Sequence, residues 1–349
     1  VTTTRPKNIE CRFASADDLG EWEEGRAESS QADFFNSSLL LRAIHRHLFP
    51  LAIVECRLGG RLIGGCFGWD RRMGRRRRLQ TPPTLAHGTL WLRDAGLGPS
   101  RAESLARDVV RALTPFLTPH FDSINLQASP EFLATMWFES EGWEVRPLHT
   151  YRFPMTDVDT AWKQLESSRR RQVNLAREEG MTVEPSMDVG ALEVVMVDML
   201  RRRGAPHPSL RSFLEVLLED LSAARKGQLF VARDSAGGVA AALVVVWEGD
   251  HAAIYIGAGI GELGRRGANS LLHWHVIEAL CREGRHRWLD LYGWGLPEIA
   301  LYKKEWNAPL AVCSDLLFTA DPRLRLAEHT RGLWTSVKHL VRGKRFGGP

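Results

Sequence analysis

The strongest constraint on how this chain folds is that one order of elements is written along it twice. Strand-type apolar runs at 51–56, 61–69 and 84–92 are followed by a helical stretch at 96–116. A strand at 123–126, a short helix at 130–141 and a strand at 145–153 complete the set. The same succession returns with strands at 229–233, 239–247 and 252–258, a glycine-rich loop at 259–267 and a helix at 269–281. It closes with a strand at 288–292, a short helix at 299–305 and a strand at 311–318. Three strands, a loop, a helix, a strand, a helix and a strand predict an α/β unit whose front is antiparallel and whose join behind the long helix is parallel. Two copies predict two similar domains. The 349 residues agree, because single cores stop growing at roughly 250–300 residues. The expected division is 1–155, 156–322 and a basic helix and tail at 323–349. Helices at 161–178, 191–203 and 209–224 fall between the two sets of strands, the last two separated by Gly204, Pro206 and Pro208.

Several classes of protein are excluded. The longest apolar run, 239–247, is far shorter than the roughly 20 residues of a membrane-spanning helix, and residues 1–10 carry no signal-type core, so a cytoplasmic protein is expected. Five cysteines without a CxxC pair argue against a disulfide framework and a thiolate zinc site. His273 and His275 are two apart and face different sides of a helix, no HExxH is present, and no metal is expected. The formal charge is only +4, yet just seven of the 46 basic residues are lysines, and arginines cluster at 75–78, 169–171 and 201–203. Such clusters attract polyanions, although solvated faces produce them too.

The candidate anion site is the stretch Gly264, Arg265, Arg266, Gly267, Ala268 and Asn269. A glycine-rich loop opening a helix presents free N–H groups and the positive helix end, and the arginines add charged donors. Asp290 alternates with Leu289 and Leu291, so its carboxylate points away from them, as an acceptor at the core edge. Lys303, beside Tyr302 and just past a strand end, lies where ligands collect on such sheets; a solvated helix lysine is the competing reading. Tyr255, Tyr292 and Trp294 could wall a pocket or simply fill a core. In the first half, Trp69, Arg72, Arg75, Arg76 and Arg77 surround what should be a turn at Gly74. No Gly-x-Ser-x-Gly elbow or Cys/His pair suggests a covalent acyl-enzyme, which suits direct attack by an amine on a bound ester or thioester.

The element order resembles the GNAT acyltransferase fold. The strings "RRRQVNLAREEG" at 169–180, "GANSLLHWHVIEALCREG" at 267–284, "WLDLYGW" at 288–294 and "LYKKEWN" at 301–307 resemble the Fem family, tandem-GNAT enzymes that move an amino acid from aminoacyl-tRNA onto a peptidoglycan-precursor amine. "YKKEW" stands where that family has an aromatic, a lysine, two variable residues and an aromatic. No heptad arm occurs between 180 and 228, and "GELGRRGAN" only approximates the GNAT pyrophosphate signature. The resemblance implies two tandem GNAT-like domains with the donor on the second. It implies Lys303 as the residue that meets a phosphate or the developing charge at the ester, with Tyr302 and Asp290 beside it. It also implies a first-half rim, Trp69 and Arg72 to Arg77, that faces the cleft and binds acceptor or tRNA.

The expected function is amide-forming transfer of an aminoacyl group from aminoacyl-tRNA, a co-substrate rather than a bound cofactor, to the amine of a small molecule or peptide. An acyl-CoA donor on the same fold is the alternative. A non-catalytic RNA-binding protein on the same scaffold is a third.

Overall fold

The computed structural model describes residues 8–202, 210–293 and 297–320, apart from the side chains of Arg265, Pro297 and Glu298. The expected basic helix and tail at 323–349 and Trp294 lie outside the described residues.

The strands are β1 (Ile9–Ala14), β2 (Leu51–Leu58), β3 (Arg61–Met73), β4 (Arg76–Gln80), β5 (Leu90–Leu92), β6 (Ser123–Ala128) and β7 (Glu144–Pro154). In the second half they are β8 (Thr182–Ser186), β9 (Gly227–Arg233), β10 (Val239–Glu248), β11 (His251–Gly259), β12 (Trp288–Asp290) and β13 (Leu310–Thr319). The helices are α1 (Gly20–Arg26), α2 (Ser38–His47), α3 (Pro99–Leu117), α4 (Met136–Ser140), α5 (Val158–Gln164) and α6 (Ser167–Glu178). After them come α7 (Val189–Arg202), α8 (Arg211–Ala224), α9 (Gly261–Leu263), α10 (Asn269–Glu283) and α11 (Pro297–Lys304).

One sheet runs through both halves in the order β1-β2-β3-β4-β6-β13-β7-β12-β11-β10-β9-β8, with β5 added to β3. The parallel joins are β4 with β6 and β11 with β12. The last strand of the second half, β13, inserts between β6 and β7 of the first, pairing with both. In turn β7 pairs with β12 of the second half. The two halves therefore complete each other's sheets, and a cut at 155 would separate β7 from β13 on one side and from β12 on the other. Apolar burial joins them as well: Leu40, Leu41 and Ile44 of α2 share a buried cluster with Leu214, Leu217 and Leu221 of α8.

Local chemistry accounts for the main elements. The run at β10 is apolar without alternation because the strand is central and covered on both faces by packed elements. Helix α10 stops at Gly284, whose left-handed φ of 65° returns its N–H to the Leu280 carbonyl. Two expectations need correction. The strand that follows β3 is β4, not the run at 84–92, most of which is loop before the three-residue β5. Arginines 76–78 are thus strand residues of a hairpin that turns at Gly74, with Leu79 of the same strand fully buried. The glycine-rich stretch is also not an open loop. It winds through α9 to Arg266, kinks at Gly267, and starts again as α10. Gly267 makes that possible: its φ is 99°, and a Cβ there would sit 2.2 Å from the Gln172 carbonyl oxygen of α6.

Candidate active site

The parallel pairing of β11 and β12 lasts three residues, ending at Ala253 opposite Asp290. Beyond it β11 continues to Gly259 beside β10 alone. The gap opens into a cavity of about 870 Å³, which both halves line: Tyr255 from β11, His273 from α10, Tyr302 and Lys303 from α11, His87 from the first half and Thr150 from β7. A site where parallel strands part is the expected place for a ligand in an α/β sheet.

Asp290 ends β12 and is buried. Its Oδ1 accepts from the Thr150 hydroxyl and, at 2.7 Å, from the Tyr292 N–H. Its Oδ2 lies 3.3 Å from His87 Nε2 and 3.4 Å from Arg152 Nε. Burial would raise its pKa, but the hydrogen bond and charge of His87 outweigh that, with Thr150 and Arg152 contributing, and hold it at about 2. His87 has a second acid on its other side, Asp33, 3.5 Å from Nδ1. Burial opposes its positive charge; the two carboxylates more than compensate and raise it to about 9. An imidazolium from the first half is thereby clamped between carboxylates from each half.

The sign of that shift gives a test. The stabilisation from His87 is fully present below its unfolded pKa of about 6.5 and is lost as pH rises through about 9. About 3 kcal/mol is the upper bound for so buried a group. Urea midpoints are expected to fall between pH 6 and 9 more steeply in the parent than in His87→Gln; parallel curves would contradict the clamp.

Lys303 is buried at the cavity wall, its Nζ donating to the carbonyls of Tyr292 and Gly293. Burial pulls its pKa down to about 8, against the pull of Asp290. Tyr292, at φ 54°, is fixed in the left-handed region by that bond, by its N–H to Asp290, by stacking on Phe35 at 4.1 Å and by its hydroxyl, which accepts from the Ala86 N–H at 2.6 Å. One line of contacts thus runs from His87 through Asp290 and Tyr292 to the Lys303 ammonium. Of the residues singled out in the sequence, Lys303, Tyr302, Tyr255 and Tyr292 line the cavity, and Asp290 lies behind them. His87, Thr150 and Asp33 were not seen in the sequence: a lone histidine in "LAHG" carries no spacing signal.

Of the expected anion site, Gly264 and Asn269 line the cavity. Two N–H groups at and just before its start are committed: that of Gly264 donates to the Ile260 carbonyl at 2.8 Å, and that of Gly261, where the helical run begins, to Asp198 Oδ2 at 3.1 Å. Ala268 is buried, Gly267 lies on α6, Arg266 forms an ion pair with Glu179 at 2.7 Å, and the Arg265 side chain is outside the described residues. The chain's own acceptors therefore occupy two N–H donors at the entrance to the stretch, those of Gly261 and Gly264.

The first-half rim does not border this cavity. Trp69 packs on Phe49 with the Arg71 guanidinium over its ring at 4.8 Å. Arg77 is paired with Asp70 at 2.7 Å and lies over Phe121, while Arg72, Arg75 and Arg76 stand on the hairpin. The other two arginine clusters among the described residues carry internal partners, although Arg171, Arg201 and Arg202 are exposed. Arg169 is buried and Arg170 donates to the carbonyls of Lys163 and Leu165, while Arg201 and Arg202 both pair with Asp198. Among the described residues no group of side chains could hold a metal ion, and no helix is long and apolar enough to cross a membrane.

Parting parallel strands, a long helix laid over them and a second copy joined by exchanged strands define a tandem GNAT-type acyltransferase fold. Residues 160–304 match the family model described as an acetyltransferase (GNAT) domain. The chain is Fem-like in its fold: FemX superposes with a TM-score of 0.62 at 11% identity, over 88% of this chain and 96% of that one. A tandem GNAT protein from the clavulanic acid biosynthesis pathway gives 0.55 at 13% identity, over 90% and 99%. The C-terminal domain of a putative lysylphosphatidylglycerol synthetase from Agrobacterium fabrum gives 0.53 at 14% identity, over 88% and 96%. No curated protein matches the chain in sequence. At these identities the likeness to the solved structures is one of fold.

Proposed function

We propose that the protein forms amides by moving an aminoacyl group from aminoacyl-tRNA to the amine of a small molecule or peptide. The observation that carries this reading is an open, largely apolar cavity holding a buried ammonium, beside a glycine-rich stretch whose first two N–H groups are taken by the chain itself. A CoA pyrophosphate needs free N–H groups at the helix start. Here the Gly264 N–H is spent within the helical run, and that of Gly261 on the Asp198 carboxylate. An ester at the 3′ end of a tRNA needs no such cradle. It needs a slot for the acyl group and a donor for its phosphate or for the developing oxyanion, which Lys303 supplies.

In this reading the amine attacks the acyl carbonyl directly. The cavity contributes proximity, worth up to about 7–11 kcal/mol in well-oriented systems. The arginines of the β3–β4 hairpin, Arg72, Arg75 and Arg76, are suited to the phosphate backbone of a tRNA lying across the first half, and such a donor places the reaction in the cytoplasm.

The test is the mass of the product formed from candidate amines with charged tRNA and, separately, with acyl-CoA. An adduct one aminoacyl residue heavier, abolished by ribonuclease and weakened by salt, is the expected result. Ribonuclease-resistant product from acyl-CoA alone would replace the donor. Tight RNA binding without product from either donor would make the protein a binder.

A further inference from the structure

An amine that attacks as the free base must lose a proton as its bond to carbon forms, and none of the described residues lining the cavity is a carboxylate. The ionisable groups that face it are His87, held cationic, the cations Lys303 and Arg202, tyrosine and cysteine side chains, His149 and His273. One of these is built differently from the rest. His273 projects from the first turn of α10 and places Nδ1 2.7 Å from the Asn269 carbonyl oxygen, which only accepts. Nδ1 therefore carries the hydrogen, and in the neutral ring Nε2 is left with its lone pair. Among the described residues no hydrogen bond engages Nε2. The ring is clamped, stacked on Trp306 at 28° and 5.4 Å, with the Tyr302 ring edge-on at 5.5 Å.

We propose that His273 Nε2 is the proton acceptor for the attacking amine, an assignment that rests on the acyl-transfer reading above. The amine nitrogen bonds to the acyl carbon, the carbonyl electrons move to oxygen, and the N–H proton passes to Nε2. The carbon–oxygen bond to the ribose then breaks, and the leaving oxygen takes that proton back from His273. One proton is moved from amine to hydroxyl, and the enzyme ends unchanged.

The surroundings fit this cycle. His273 is kept neutral by burial first, and then by the charges of Arg169 from α6 and Lys303 from α11, against the Asn269 bond that favours its cation; its pKa lies at about 3. The resting imidazole is unprotonated, so its Nε2 lone pair is free to accept a hydrogen bond from the N–H of an incoming amine. It becomes a competent base only during reaction, when the amine nitrogen turns acidic on bonding to carbon and the oxyanion offsets the Lys303 charge that otherwise opposes an imidazolium.

The experiment compares single-turnover rates of the parent, His273→Ala and His273→Gln across amines of graded basicity. Glutamine keeps a donor for the Asn269 carbonyl and fills the stack, yet its amide oxygen takes no proton. Both variants are expected to slow by about 10²- to 10³-fold, with the donor KM within a few-fold, a steeper dependence on amine basicity and partial rescue of the alanine variant by added imidazole. A folded glutamine variant with the parent's rate and slope overturns the assignment. The donor reading fails separately, if the parent makes product only from acyl-CoA; the same series is then run with that donor. A parent inactive with both donors overturns both proposals.

Discussion

Replacing Lys303 with alanine is expected to slow turnover by about 10²- to 10³-fold, while Lys304→Ala stays near the parent rate. The two lysines are neighbours in α11, yet Lys304 is exposed and Lys303 is 8% exposed with its ammonium on the Tyr292 and Gly293 carbonyls. Two of its three hydrogens are thus spoken for, which leaves one to aim at charge arriving in the cavity. A donor fixed in this way costs no reorganisation when the oxyanion appears, which is why removing one costs about 3–4 kcal/mol of barrier elsewhere. The cationic form is required, and burial has brought the pKa down to about 8. Activity should therefore decline as pH rises through about 8, and Lys303→Arg, whose charge does not titrate, should lose that limb whatever its absolute rate. The alanine variant also strips donors from two carbonyls, so melting temperature must be followed alongside. A rate unchanged in Lys303→Ala, or one that merely tracks lost stability, would remove Lys303 from the mechanism.

How far the sequence announced this arrangement depends on what each residue's neighbours reveal. β10 and α10 could be read because an unbroken run of small and β-branched apolar residues marks a central strand and a long amphipathic stretch marks a helix. β4 could not, because three consecutive arginines hide its alternation and only Leu79 declares a buried face. The glycines at 259–267 read as a loop because clustered glycines usually mean one, but packing on α6 holds Gly264–Ala268 in a turn. The destination of β13 was beyond reach for a different reason. Its pattern is the same whichever sheet it joins, and the choice is made by an open space between β6 and β7 that exists only in three dimensions. The site divides along the same line. Asp290, Tyr302 and Lys303 lie within fourteen residues in a lysine-poor chain and attract notice together. His87 stands 203 residues from Asp290, and no local pattern connects them.

Arg169→Met is expected to destabilise the fold by about 3 kcal/mol and to lower activity through Lys303, although Arg169 does not line the cavity. Its guanidinium is 1% exposed and donates to Ser270 Oγ at 2.6 Å, Gln172 Oε1 at 2.8 Å and the Tyr302 carbonyl at 3.0 Å, with Glu305 at 2.5 Å. It also covers the Tyr302 ring at 4.0 Å and lies 5.1 Å from that of Trp306. Glu305 is partly exposed and can turn to water, so the ion pair is a small part of the loss. The large part is the acceptors left unpaired inside, about 1–3 kcal/mol each with partial relaxation, together with the lost stack. Methionine fills much of the volume but supplies no donor. A lysine at this position keeps the charge with fewer directed donors and no planar stack, so Arg169→Lys should fall between the two. Because the Tyr302 carbonyl is the acceptor immediately before Lys303, loosening it frees α11 at the residue the reaction is proposed to need. Urea midpoints, with turnover measured at a temperature where each variant is folded, separate the two effects. A methionine variant within about 0.5 kcal/mol of the parent, the range of an ordinary surface substitution, would mean that α11 is held by its packing on Trp306 alone.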